Sequence, residues 1–183
     1  AAEFGGRPVT VAGLSMGAWM AVRVALGCPE LVARLVLVDA AGYRDQDWGA
    51  IRRRVAITTG AELDSFAHAL FHRPHPFLRL LRPGLLAVFR SPAVSGAVTG
   101  VGDLDVYDDR DLALIEAPCA VIWGADDGLF PLAVAERTAA ALPHAVLHAI
   151  PAAGHAVQWD RPVDFIAALE DFRRRTPLGP AAR

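Results

Sequence analysis

One stretch constrains this chain more than any other: Gly13-Leu14-Ser15-Met16-Gly17, set between Val9-Thr10-Val11-Ala12 and an apolar run from Ala18 to Gly27. The first flank is uncharged and rich in β-branched residues, as a buried strand is. The second has helical spacing and a single charge, Arg23, which predicts a helix over 16–27 packed on most of its circumference. Gly27 and Pro29 end it. Strand, tight turn, helix is the context in which Gly-x-Ser-x-Gly holds a serine hydroxyl clear on a strained backbone. Gly13 and Gly17 carry no Cβ, so strand and helix can approach at the turn. The helix N-terminus then aims N–H groups, Met16 first, at the place where an oxyanion would form. Four serines and 16 glycines in 183 residues give this pattern by chance with a probability of about 0.03, before the flanks are required.

The rest of the chain extends the same pattern. Leu35-Val36-Leu37-Val38 is a second continuous apolar strand, ending at Asp39. A βαβ unit of this kind predicts a parallel sheet covered on both faces. From Arg44 to about Arg110 no strand is legible. Amphipathic helices are expected at 48–57, 61–71 and 77–90, the last interrupted by Pro83-Gly84. Residues 94–111 are Gly-rich and then acidic (Asp103, Asp105, Asp108, Asp109, Asp111) and read as a turn-rich return. Strands and helices alternate again from Leu112: a strand at 120–123, a helix at 132–142 with Pro131 at its first turn, a strand at 146–150 and a helix at 161–174. The fold class is therefore α/β, a mostly parallel sheet flanked by helices with a helical insertion. Residues 1–43 and 111–176 form a partial core, 44–110 the insertion and 177–183 a flexible tail.

Composition excludes several functions. A net charge of −2 offers nothing to nucleic acid or an anionic membrane. No apolar run is long enough for a membrane span, and the N-terminus lacks the regions of a signal peptide. Cys28 and Cys119, far apart in apolar surroundings, read as two buried thiols, which suits the cytoplasm. No metal or cofactor site is expected. His68, His72 and His75 lie about a Pro-broken helix end without an acidic partner, and read as plain residues of the helical insertion, not metal ligands.

Three residues lie in equivalent places, each in a loop after a strand: Ser15, Asp127 (or its neighbour Asp126) and His155. In an open parallel sheet such loops share one edge, where ligands bind. Serine needs a base to become a nucleophile, imidazole is the base suited to neutral pH, and a carboxylate fixes the imidazole tautomer and stabilises its later charge.

These residues carry a resemblance. Gly13-Leu14-Ser15-Met16-Gly17, Leu35 to Asp39, Trp123-Gly124-Ala125-Asp126-Asp127 through Pro131, and Ala153-Gly154-His155 to Pro162 resemble the C-terminal two-thirds of the α/β-hydrolase fold with a helical cap. The resemblance implies a serine hydrolase with Ser15 as nucleophile, His155 as base, Asp127 as acid and the Met16 N–H in the oxyanion hole. The family's Gly-x-x-Asp spacing selects Asp127 over Asp126. The implied substrate is a small or medium apolar ester, lactone or thioester. C–C bond hydrolases and perhydrolases of the same fold share the triad. The family's strands before the nucleophile, and its second oxyanion donor, have no counterpart here. That predicts a fragment with an open strand edge, able to self-associate or to take a partner chain, or a catalytically impaired binding fragment.

Overall fold

The computed structural model describes residues 7–94, 96 and 106–178. Its frame is a four-stranded parallel sheet in the order β1 (Val9–Leu14), β2 (Val32–Val38), β3 (Cys119–Gly124), β4 (Ala145–Ile150). Strands β2 and β3 are buried along nearly their whole length. Their side chains alternate between two apolar layers, as the period of two requires. Leu35, Leu37, Cys119, Val121 and Trp123 face one layer, where α1 (Met16–Gly27) and α6 (Leu132–Ala141) pack through Ala18, Ala21, Val22, Ala25 and Ala135. Val36, Val38, Ala120 and Ile122 face the other, covered by α8 (Pro162–Arg175) through Ala168 and Phe172. Full burial of a Phe side chain is worth about 1.5–3 kcal/mol, so Phe172 is a main fastener of α8. Arg34 donates to the Thr176 carbonyl at the end of that helix, placing a cation at the negative pole.

Two readings of the sequence need correction. Strand β1 is not buried on both faces: Thr10, Ala12 and Leu14 are exposed, because α8 covers β3 and β4 and does not extend over β1. Helix α1 is buried on one face only. Its small residues meet the sheet, whereas Met16, Met20 and Val24 are 43%, 58% and 44% exposed.

The insertion contains α2 (Trp48–Val55), α3 (Gly60–Leu70) and α4 (Leu78–Phe89). Helix α3 starts with a capping box, Thr59 accepting from Glu62 N–H while Glu62 bonds back to Thr59. Two free donors are satisfied at once; hydrogen bonds to the Glu62 carboxylate from the Thr58 N–H and hydroxyl, and then from the Thr59 N–H, hold it down at about 2. Leu63, Phe66, Leu85, Leu86 and Phe89 form a small separate core. Helix α4 runs straight through Pro83-Gly84, against the expected interruption. Both residues are exposed, so the carbonyl that loses its partner can turn to water. Phe77, Leu80, Leu81 and Val88 remain exposed on the same stretch. Of the acidic return, Asp108 caps a short helix, α5 (Asp109–Leu112). Residues 95 and 97–105, with Asp103 and Asp105, lie outside the described residues, as do 179–183 of the tail. Cys28 is half-buried and Cys119 buried, both free thiols.

Candidate active site

Ser15 sits between β1 and α1 with φ 53° and ψ −119°, a region of backbone space that a non-glycine residue enters only under constraint. The constraint is visible. The Ser15 N–H donates to Val38 O at 2.9 Å, and Ser15 O accepts from Ala18 and from Ala41, at 3.0 and 3.2 Å. A Cβ on Gly13 would lie 2.1 Å from Gly17 O, so glycine is compulsory there. A Cβ on Gly17 would meet nothing within 4 Å; the expectation that both glycines let strand and helix approach holds for Gly13 alone. The Met16 N–H, in the first turn of α1, has no intrahelical partner.

Asp127 and His155 meet. His155 Nδ1 lies 2.9 Å from Asp127 Oδ2, with side chains 7% and 0% exposed. The other oxygen, Oδ1, accepts from Leu129 N–H at 2.7 Å and Phe130 N–H at 2.9 Å. An ionised carboxylate only accepts, so Nδ1 is the ring nitrogen that donates and Nε2 keeps its lone pair. The Phe130 ring lies beside the imidazole, centroids 5.4 Å apart. No hydrogen bond joins Ser15 Oγ to His155 among the described residues. Such contacts are often long until substrate is bound.

The loops that carry Asp127 and His155 are fitted to each other by backbone contact. A Cβ on Gly124 would lie 2.0 Å from Gly154 O, and Asp126 N–H donates to Ala153 O at 2.9 Å. Both loops also grip the insertion. The carbonyls at the C-terminal end of α3 would otherwise lack partners; Ala69 O accepts from Gly128 N–H at 3.1 Å and Leu70 O from Ala156 N–H at 2.9 Å. Asp126 is the neighbour that turns outward, its Oδ2 2.6 Å from His72 Nδ1. Asp160, at the end of α7 (Val157–Asp160), accepts from both Gly154 N–H and His72 N–H at 2.8 Å. Sequence reasoning missed these contacts of His72, because its acidic partners lie far along the chain. His68 bonds only locally, to Asp64 O.

Sequence reasoning also passed over Asp39. It stands at the end of β2 at 0% exposure with φ 43°. Its Oδ1 accepts from Gly124 N–H at 2.8 Å, and Oδ2 has no hydrogen-bond partner among the described residues. Burial, reinforced by the nearby Asp127 and Asp160 charges, pushes its carboxyl up to about 8, against the pull of the Gly124 and Val157 backbone N–H groups. The only hint in the sequence was a carboxylate directly following four apolar strand residues. Among the described residues no group of His, Cys, Asp and Glu converges as metal ligands would, and no helix is long and apolar enough to cross a membrane.

Comparison with known proteins places the fold. The family model described as the alpha/beta hydrolase family matches residues 1–169. A pimeloyl-[acyl-carrier protein] methyl ester esterase from Chromobacterium violaceum is 31% identical over 179 residues, covering 90% of this chain and 69% of that protein. A 2-hydroxymuconate semialdehyde hydrolase from Pseudomonas putida is 29% identical over 179 residues, covering 88% and 61%. Among solved structures, a meta-cleavage product hydrolase from Pseudomonas fluorescens superposes with a TM-score of 0.77 at 20% identity, over 94% of this chain and 66% of that one. These relatives are hydrolases by name, and the sheet and its flanking helices are of their kind. The chain belongs to the alpha/beta hydrolase family.

Proposed function

We propose that the chain is a serine hydrolase that cleaves a small or medium apolar ester, lactone or thioester through an acyl-enzyme. Ser15 is the nucleophile, His155 the general base and then acid, Asp127 the group that orients the imidazole, and the Met16 N–H a donor to the oxyanion. The observation that carries this reading is the buried His155–Asp127 pair, which follows strands of the same parallel sheet whose first strand leads to a serine held at φ 53°. With Nδ1 engaged, Nε2 takes the Ser15 proton as Oγ attacks the acyl carbonyl. The carbonyl electrons move to oxygen, where the α1 N-terminus offers its free N–H. Nε2 then protonates the leaving alkoxide or thiolate, and a water activated in the same way releases the acid. Segment 44–110 acts as the cap over this edge, and its exposed apolar residues, Phe77, Leu80 and Leu81 among them, favour an apolar acyl group.

The test is hydrolysis of p-nitrophenyl esters of increasing acyl length. Turnover that disappears in Ser15→Ala supports the reading; turnover that survives that change overturns it. A second reading, hydrolysis of a C–C bond by the same triad, is favoured by the likeness to the 2-hydroxymuconate semialdehyde hydrolase. Release of an acid from a vinylogous diketone, with little ester turnover, would select it.

A further inference from the structure

We infer that Asp39 is a positioning residue for the proposed triad: its carboxyl fastens the strand end that leads to Asp127 onto the segment that holds the Ser15 backbone. This rests on the Ser15–Asp127–His155 reading and adds a residue that acts through all three.

The segment is Val38 to Ala41. Val38 O takes the Ser15 N–H and Ala41 N–H binds Ser15 O, so the strained serine is gripped from both sides of its peptide. Between those two grips lies Asp39. Its own N–H donates to Ile122 O at 3.0 Å, and its Oδ1 takes the Gly124 N–H. Gly124 is the turn residue of the acid loop, since its carbonyl accepts from Asp127 N–H at 3.1 Å. It also touches Gly154 beside His155. One fully buried carboxyl therefore joins the nucleophile's clamp to the acid loop, and through the Gly124–Gly154 contact to the base loop.

A packing role alone would not call for this group. An apolar side chain would fill the space, but it would leave the Gly124 N–H buried without an acceptor. A φ of 43° favours Gly, Asn and Asp over other residues. The titratable groups acting on Asp39 are Asp127, in the loop after β3, and Asp160, at the end of α7; the Gly124 and Val157 N–H groups face it as well. Burial first, and then these two carboxylates, hold Asp39 mostly protonated at neutral pH. Once it ionises, a second negative charge faces Asp127, and the two loops are pushed apart.

The experiment is the pH dependence of kcat/KM for a p-nitrophenyl ester in the wild type, Asp39→Asn and Asp39→Ala, with Ser15→Ala as control. The wild-type profile is expected to fall through an ionisation near pH 8 that Asp39→Asn lacks. Asp39→Ala is expected to lose kcat on the order of 10²-fold with KM held, and Asn to restore it. Amide exchange at Gly124 reads the same bond without catalysis: protected in the wild type and in Asp39→Asn, unprotected in Asp39→Ala. Superposable wild-type and Asp39→Asn profiles overturn the inference and leave the triad standing. If no variant turns over ester, the triad reading fails instead; equal Gly124 protection in the wild type and Asp39→Ala then overturns the inference. Should Asp39→Ala not fold, the wild-type and Asp39→Asn profiles decide alone.

Discussion

The loop edge of the sheet and helix α4 are built by different rules. At the loop edge the backbone itself is fitted. Gly13, Gly124 and Gly154 each stand where a Cβ would come within 2.6 Å of backbone, and Ser15 and Asp39 hold positive φ. In α4 nothing is fitted so closely. Proline and glycine sit mid-helix, a Cβ on Gly84 would meet nothing within 4 Å, and Leu80 and Val88 are 72% and 56% exposed. The first region trades tolerance for geometry, as the proposed three-residue site would require. The second needs only an apolar stripe against its small core, and its surface is free to vary.

Changes at the two regions should therefore differ in size. The largest effect is expected from Gly124→Ala. Its methyl would meet the backbone of Ala153 and Gly154 beside His155, so the chain should lose about 3 kcal/mol, read by thermal unfolding. Asp127→Asn comes next and acts on rate instead. It can leave His155 in the wrong tautomer, and comparable triads lose about 10⁴ in kcat; an unfolding temperature close to wild type would show that the fold survives.

The pH dependence of stability separates the regions by sign. Asp39 is raised to about 8, so its contribution is fully present below the ordinary carboxylate range and is lost as pH rises through 8. Asp39→Asn should remove that decline in melting temperature, which runs from the ordinary carboxylate range up to about pH 8. Glu62 in the insertion is lowered to about 2; its contribution is present at neutral pH and is lost only as pH falls toward 2. Glu62→Gln should lower the melting temperature at neutral pH and remove the decline on the acid side, so that the two proteins converge toward pH 2. The smallest effect is expected at Gly84→Ala, a gain of about 0.5–1 kcal/mol with unchanged turnover. A loss there would mean that α4 is fitted as tightly as the loop edge, and the comparison would fail.

What could be read from sequence follows the same division. The strands, the α1 turn and the residues after β3 and β4 were legible because their signals are local. Apolar runs mark the strands, and a glycine beside each chemical residue marks its loop. The spacing that selected Asp127 over Asp126 is also local, and in the structure Asp127 meets His155 while Asp126 turns to His72. The exposed face of β1 was not legible, because it depends on where α8 lies. Nor was the grip of the two loops on the end of α3, since Ala69 and Leu70 say nothing of Gly128 and Ala156 until the chain has folded. Asp39 escaped for a related reason. A carboxylate after a strand reads as a solvated loop residue, and only the sheet order β2–β3 places it against Gly124. Pro83-Gly84 misled in the other direction, because propensity was weighed without knowing that the site faces water.

The most direct test of the account is intact-protein and peptide mass spectrometry after treatment with a fluorophosphonate. The account predicts one adduct per chain, located on Ser15, slowed strongly by His155→Ala and absent in Ser15→Ala. Folded protein that takes up no adduct, or takes it up at another residue, would contradict it.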